Sequence, residues 1–117
     1  MDFGASKMAS IKYKIKKLDS HPEKRGWLVE LFKSNEIEKP VKQLHITSIE
    51  PGYIRGNHYH SKRMEWFFVI AGEAKLCLQD IKNPSTSLRA GKKICFKLSE
   101  KDPKVITIFP RTAHGVK

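Results

Sequence analysis

A hydrophobic period of two, rather than the 3.6 of a helix, runs through this chain in short segments and dictates its fold class. Ile11, Tyr13 and Ile15 alternate with lysines. Leu76 and Leu78 alternate with Lys75, Cys77 and Gln79, while Ile94, Phe96 and Leu98 alternate with Lys93, Cys95 and Lys97. Successive side chains of an extended strand point to opposite faces, so each segment turns one apolar face to a core and one polar face to solvent. A short β-branched run at 105–109 leads into Pro110. Turn chemistry separates the pieces at Glu50-Pro51-Gly52, Ala71-Gly72, Asn83-Pro84-Ser85, Ala90-Gly91 and Asp102-Pro103. The helical signal is limited to a turn or so near 34–38, and no internal repeat or linker interrupts the pattern. Many short strands at this spacing predict an all-β barrel or sandwich. The 117 residues give enough chain for a single domain, 1–117, with one modest core.

A formal net charge of +11 implies attraction to phosphate, whether on nucleic acid, a membrane surface or a nucleotide. The plainer reading is a solvated lysine coat, with Lys12, Lys14, Lys16 and Lys17 on the exposed face of an edge strand. No zinc finger, RNA-binding aromatic signature or helix-turn-helix pattern accompanies the charge, so nucleic acid is not the expected partner. The longest apolar run, 66–72, is too short to span a bilayer. No apolar leader stands at the N-terminus, so a cytoplasmic location is expected, with no membrane partner. Cys77 and Cys95 form no CxxC pair and read as reduced thiols on strands.

The chemistry concentrates in PGYIRGNHYHSKRMEWFFVIAG, residues 51–72. His58 and His60 are two apart, which on a strand puts both on one face. Glu65 follows after four residues, enough for a turn that returns a carboxylate to the same pocket. Two imidazoles and a carboxylate suit one divalent first-row ion such as zinc, iron, manganese, nickel or copper. The apolar residues after Glu65 would wall the site.

The spacing Gly52, five residues, His58, one, His60, four, Glu65, six, Gly72 resembles the first cupin motif at every anchor. The run IFPRTAHGV resembles the second, which implies His114 as a fourth ligand. Arg111 stands where a glycine is usual, and the asparagine expected after His114 falls beyond the end. The cupin resemblance implies a double-stranded β-helix, or jelly-roll, barrel lacking its last strand. Either the chain is truncated, or a neighbouring subunit or an N-terminal strand completes the barrel.

A second resemblance narrows function. RGWLVELF, with Arg25, Gly26 and Glu30, is similar to the N-terminal signature of the dTDP-4-dehydrorhamnose 3,5-epimerase family. Gln43, His45 and GYIRGNHYH resemble that family's central block. The likeness covers roughly 25–80. It implies that Arg25 and Arg55 grip a nucleotide diphosphate, that Glu30 and Gln43 lie along the nucleotide, and that the protein is a homodimer whose N-terminal strand crosses to the partner. Guanidinium forks match phosphate oxygens in a bidentate way.

Two departures bear on mechanism. His60 stands where those epimerases carry glutamine, and Glu65 where they carry lysine; both changes convert a metal-free pocket into a ligand set. The RGNHYH block looks more like the metal-binding cupin domain of capsular polysaccharide assembling reductases. The family's catalytic histidine aligns with His58, but a metal-bound imidazole cannot also abstract a proton. The base then falls to another group: His45, whose alternation with Gln43 and Thr47 can put it inside the barrel, with Tyr53 and Tyr59 as proton donors. The implied reaction is epimerisation or ketoisomerisation of a nucleotide-linked 4-keto sugar, whose ketone acidifies the adjacent C–H. The alternatives are a metal-dependent cupin dioxygenase and a non-catalytic sugar- or ligand-binding cupin.

Overall fold

In a computed structural model of the chain, residues 6–8, 11–58, 62–80, 93–110 and 112–117 are described. Among these residues ten strands carry almost all the regular structure: β1 (Ser6–Met8), β2 (Ile11–Lys17), β3 (Ser20–Glu23), β4 (Gly26–Val29), β5 (Arg55–His58), β6 (Glu65–Phe67), β7 (Glu73–Asp80), β8 (Lys93–Ser99), β9 (Lys104–Ile108) and β10 (Thr112–Val116). The helical signal near 34–38 proves to be a single 3-10 turn, Ser34–Glu36. Two four-stranded antiparallel sheets, in the orders β1-β2-β9-β6 and β5-β10-β7-β8, face each other. A separate hairpin joins β3 to β4. This is the all-β architecture expected from the alternation, and the jelly-roll barrel that the cupin resemblance implies.

The apolar faces meet as the period of two requires. Ile11 and Tyr13 from β2, Leu76 and Leu78 from β7, Leu98 from β8, and Ile106 and Ile108 from β9 form one buried cluster. Phe67, Val69, Ile94, Phe96 and Val116 pack around it. A fully buried aliphatic side chain of this kind contributes about 1.5–3 kcal/mol. Ile15 departs from the pattern. It shares a rung with the buried Ile106, yet is 41% exposed, since β1 flanks β2 only at Ile11–Tyr13.

The expectation that β2 is an edge strand holds for 14–17, where β9 is the one described neighbour, and is corrected at Ile11–Tyr13, where β1 pairs on the other side. Its lysines are also not simply solvated. Lys14 Nζ lies 2.6 Å from Glu38 Oε2, Lys16 Nζ lies 3.3 Å from Glu36 Oε2, and Lys12 sits 4.4 Å from the centre of the Phe109 ring. The acidic residues of the 3-10 turn and its flank thus strap 33–38 across β2. The Glu36 carboxyl is held below the usual range by the Lys33 backbone N–H and then by Lys16. For Glu38, partial burial is the largest influence and pushes upward, but the Lys14 hydrogen bond and neighbouring charges outweigh it, and the net shift is downward.

The cysteines also correct an expectation. The β7–β8 register sets Cys77 opposite Cys95, and the two are joined as a disulfide. The sequence offered no spacing motif because the pairing comes from strand register across 18 positions. Since Leu76 and Leu78 point inward, the bridge lies on the outer face.

Candidate functional site

The site is set by two rungs, one in each sheet. In one sheet Tyr13 pairs with Ile108, and Ile108 pairs with Glu65. Directly paired residues share a face, so Glu65 belongs to the core face of β6 together with Phe67, which pairs with Ile106. In the opposite sheet His58 pairs with His114, and His114 pairs with Leu78. His114 is 5% exposed and therefore stands in the interior. The two sheets bring His114 Nε2 to 3.4 Å from Glu65 Oε2. The Phe67 ring meets the His114 ring edge-on, with centroids 5.3 Å apart, and walls the pair from the core.

β5 reaches this rung through an irregularity. Its pairing with β10 steps from His58 to Gly56 while β10 advances by one residue, a bulge at the site. Gly56 has φ +107°, and a Cβ there would stand 3.0 Å from the Gly115 Cα and 3.2 Å from the His114 carbonyl oxygen. The glycine of the Arg-Gly-Asn-His block is thus needed for a close backbone approach and a left-handed conformation. It lets β5 lie against the strand that carries His114.

Of the four expected metal ligands, the structure converges Glu65 and His114 and puts the backbone of His58 opposite His114. His60 and Tyr59 lie outside the described residues, as does the side chain of His58. Among the described residues no three His, Cys, Asp or Glu side chains form a group that could hold a metal ion. The described pair stands at ion-pair distance, and an imidazole nitrogen and a carboxylate oxygen are also donor types that a divalent first-row ion accepts.

The expected substrate residues are exposed, unlike the buried His114. Arg25 occupies the two-residue turn between β3 and β4, where its guanidinium bonds Glu23 at 2.9–3.0 Å and is 87% exposed. Arg55 opens β5, and its Nε donates to the Ser48 carbonyl at 2.8 Å. Glu30, Gln43 and Tyr53 are exposed. His45, expected inside the barrel, is exposed on a stretch without strand pairing. Alternation suffices to make a strand only when another strand accepts its hydrogen bonds, and within the described chain none does.

Sequence reasoning passed over Phe67 and Thr112. Each stands two residues from a proposed ligand, on the same face of its strand, so the period of two was the signal that could have found them. Thr112 is 3% exposed, and its hydroxyl has no hydrogen-bond partner among the described residues. It adds a second buried polar group to the core face of β10.

Comparison with known proteins places the chain in context. Residues 21–117 match the family described as the polysaccharide biosynthesis C-terminal domain. The spore coat polysaccharide biosynthesis protein SpsL of Bacillus subtilis (strain 168) is 30% identical over 103 residues, which are 87% of this chain and 67% of that protein. The dTDP-4-dehydrorhamnose 3,5-epimerase from Sulfolobus tokodaii superposes with a TM-score of 0.74 at 26% identity, covering 100% of this chain and 69% of that one. QdtA, a sugar 3,4-ketoisomerase from Thermoanaerobacterium thermosaccharolyticum solved in complex with TDP, has a TM-score of 0.69 at 20% identity, over 89% of this chain and 69% of that one. The structural neighbours are thus nucleotide-sugar epimerases and ketoisomerases of jelly-roll fold.

Proposed function

The chain belongs to the polysaccharide biosynthesis C-terminal domain family, and on that premise we propose that it is a metal-binding cupin acting on a nucleotide-linked 4-keto sugar, as a 3- or 3,5-epimerase or a ketoisomerase. The observation that carries this reading is the convergence of His114 and Glu65, 3.4 Å apart, from opposite sheets at the core face of the barrel. Relatives that are epimerases and ketoisomerases of TDP-linked sugars supply the substrate class.

His58, His60, Glu65 and His114 would hold the ion. When bound it supplies Lewis acidity for the oxygen of an enolate and rigidity to the pocket. The protein's own residues do the rest. Arg55, with Arg25, binds the diphosphate through its fork of N–H donors. Phe67 keeps water from the His114 side of the pocket. The proton adjacent to the ketone leaves to a base and returns at the other face or at another atom. With its nitrogen committed to a metal, His58 cannot be that base, and the task passes to His45 or Tyr59.

A homodimer belongs to the same reading. Trp27 and Leu28 of the isolated hairpin are 55% and 58% exposed, and Leu44 and Ile46 are 82% and 77% exposed. A two-stranded hairpin alone is marginal in water, and apolar residues this exposed across one region mark a contact surface. A second copy would cover this stretch and enclose His45.

Elemental analysis of purified protein should find about one metal per chain, lost when His58→Ala is combined with His60→Ala. Full occupancy in the double variant would refute the ligand set. Separately, a dTDP-4-keto sugar should raise the melting temperature and exchange deuterium from solvent into its ring. A protein that ignores every nucleotide and nucleotide sugar while consuming oxygen with iron bound would sink the substrate assignment.

A further inference from the structure

The outer face of the β5-β10-β7-β8 sheet carries a feature that the interior site does not use. Lys75 on β7 pairs directly with Lys97 on β8. On its other side Lys75 exchanges both backbone hydrogen bonds with Lys117, at 2.7 and 3.0 Å. Three lysines therefore occupy one rung across three adjacent strands, all exposed and all on the face opposite Leu76. Neighbouring strands are about 4.8 Å apart, so the three charges form a row roughly 10 Å long. Like charges placed directly opposite on a sheet oppose folding. Lys93, two rungs further along the same face of β8, adds a fourth. Glu73 offsets part of this charge, at 3.5 Å from Lys97.

The row is held in place. The Cys77–Cys95 disulfide is the next rung on the same face and fixes the register of β7 against β8. A shallow depression of about 470 Å³ lies along the rung, lined by Lys75, Lys97, Lys117, Glu73 and Cys95 among others.

We propose that this rung is a binding site for an acidic polysaccharide, a chain of sugars bearing carboxylates, seated across the strands. A pyranose unit is about as long as the strand spacing, so successive carboxylates meet successive lysines. The outward positions of β7 and β8 are Glu73, Lys75, Cys77, Gln79, Lys93, Cys95, Lys97 and Ser99. None is aromatic, and Phe96, which also lines the depression, is an inward residue of β8 packed against the core and Tyr13, so the described part of the face offers no stacking platform of the kind that single-stranded nucleic acid uses. Lysine point charges without arginine forks suit dispersed carboxylates better than a bidentate phosphate grip. The site lies on the other side of the sheet from His114, so it binds product or acceptor chain independently of the interior chemistry.

Titration calorimetry of the full-length protein with polygalacturonate at low salt tests this. Combining Lys75→Gln, Lys97→Gln and Lys117→Gln should weaken binding about tenfold, while Lys24→Gln, Lys42→Gln and Lys62→Gln together should change it less than about threefold. Neutral dextran should not bind. In wild-type protein, polygalacturonate should also protect Lys75, Lys97 and Lys117 from acetylation more than the three control lysines, a readout that needs no variant to fold. Equal loss in both triple variants, or uniform protection, would overturn the site. Duplex DNA or phosphatidylglycerol vesicles binding as tightly as polygalacturonate, with the same loss in the rung variant, would overturn the assignment to an acidic glycan.

Discussion

The two-sheet sandwich and the stretch from 19 to 55 are built from similar residues and behave in opposite ways. In β2, β7, β8 and β9 the apolar side chains are buried, and Ile11, Leu76, Leu78 and Ile106 have no exposed surface. Between 19 and 55 not one residue is buried, although Trp27, Leu28, Leu44, Ile46 and Ile54 are as hydrophobic as anything in the core. Apolar character alone therefore does not place a residue inside. A strand buries its face when a neighbouring strand satisfies its backbone and an opposing sheet covers it. Apart from Arg55, which opens β5, that stretch has the first condition only in its hairpin and the second nowhere among the described residues.

The largest expected effect breaks this comparison at its core. Leu78→Ala should lower stability by roughly 2–5 kcal/mol in urea denaturation, whereas Leu44→Ala should cost less than about 0.5 kcal/mol when both are measured at monomeric concentration. A Leu44→Ala loss that grows with protein concentration would instead measure the partner that covers it. Next is the covalent tie on the outer face. Reducing the Cys77–Cys95 bridge, or replacing both residues with serine, should cost about 3 kcal/mol, since the closed loop spans 18 positions. An unchanged melting temperature with and without reductant would show that the bridge is not formed in solution.

Gly56→Ala comes third, at roughly 2 kcal/mol, because it combines a left-handed φ with a 3.0 Å approach to Gly115. It should also move β5 off β10, so metal content should fall with stability. The same change at Gly52, whose added Cβ would meet nothing, should cost only the conformational part and leave the metal in place. The smallest effect concerns the acidic strap. The Glu38 carboxyl is held below its usual range, so its pairing with Lys14 stabilises the fold above the ordinary carboxylate pKa and fades as pH falls through the lowered value. Glu38→Gln should remove that acid dependence and about 0.5 kcal/mol or less, read as faster amide exchange in 33–38 at neutral pH.

The pattern of two was legible because burial on one face of a sheet imposes it residue by residue. It located β2, β7 and β8, while a β-branched run marked β9 and motif spacing, not alternation, pointed to Glu65 and His114. The spacing from His58 to Glu65 was legible too, since it repeats a motif, but the bulge that aims β5 at His114 was not. It depends on Gly56 meeting Gly115, a contact between residues 59 positions apart. The reading of Cys77 and Cys95 as reduced thiols failed for a similar reason, as did the placement of His45 inside the barrel. Both depend on which strand lies alongside: a one-residue change in the β7–β8 register would separate the cysteines, and His45 has no described strand beside it at all.

The sequence by itself determined that this chain is all-β, which of its faces are apolar, and which residue types can meet a metal or a diphosphate. Those follow from local geometry, in which alternate side chains point opposite ways whatever the partner strand. Only the tertiary structure decided that Glu65 and His114 face each other across the barrel, that Cys77 and Cys95 are bonded, that three lysines share a rung, and that the apolar residues near 44 remain uncovered. Each of these is a statement about register and sheet stacking, fixed by the packing of the whole core and written in no single segment of the chain.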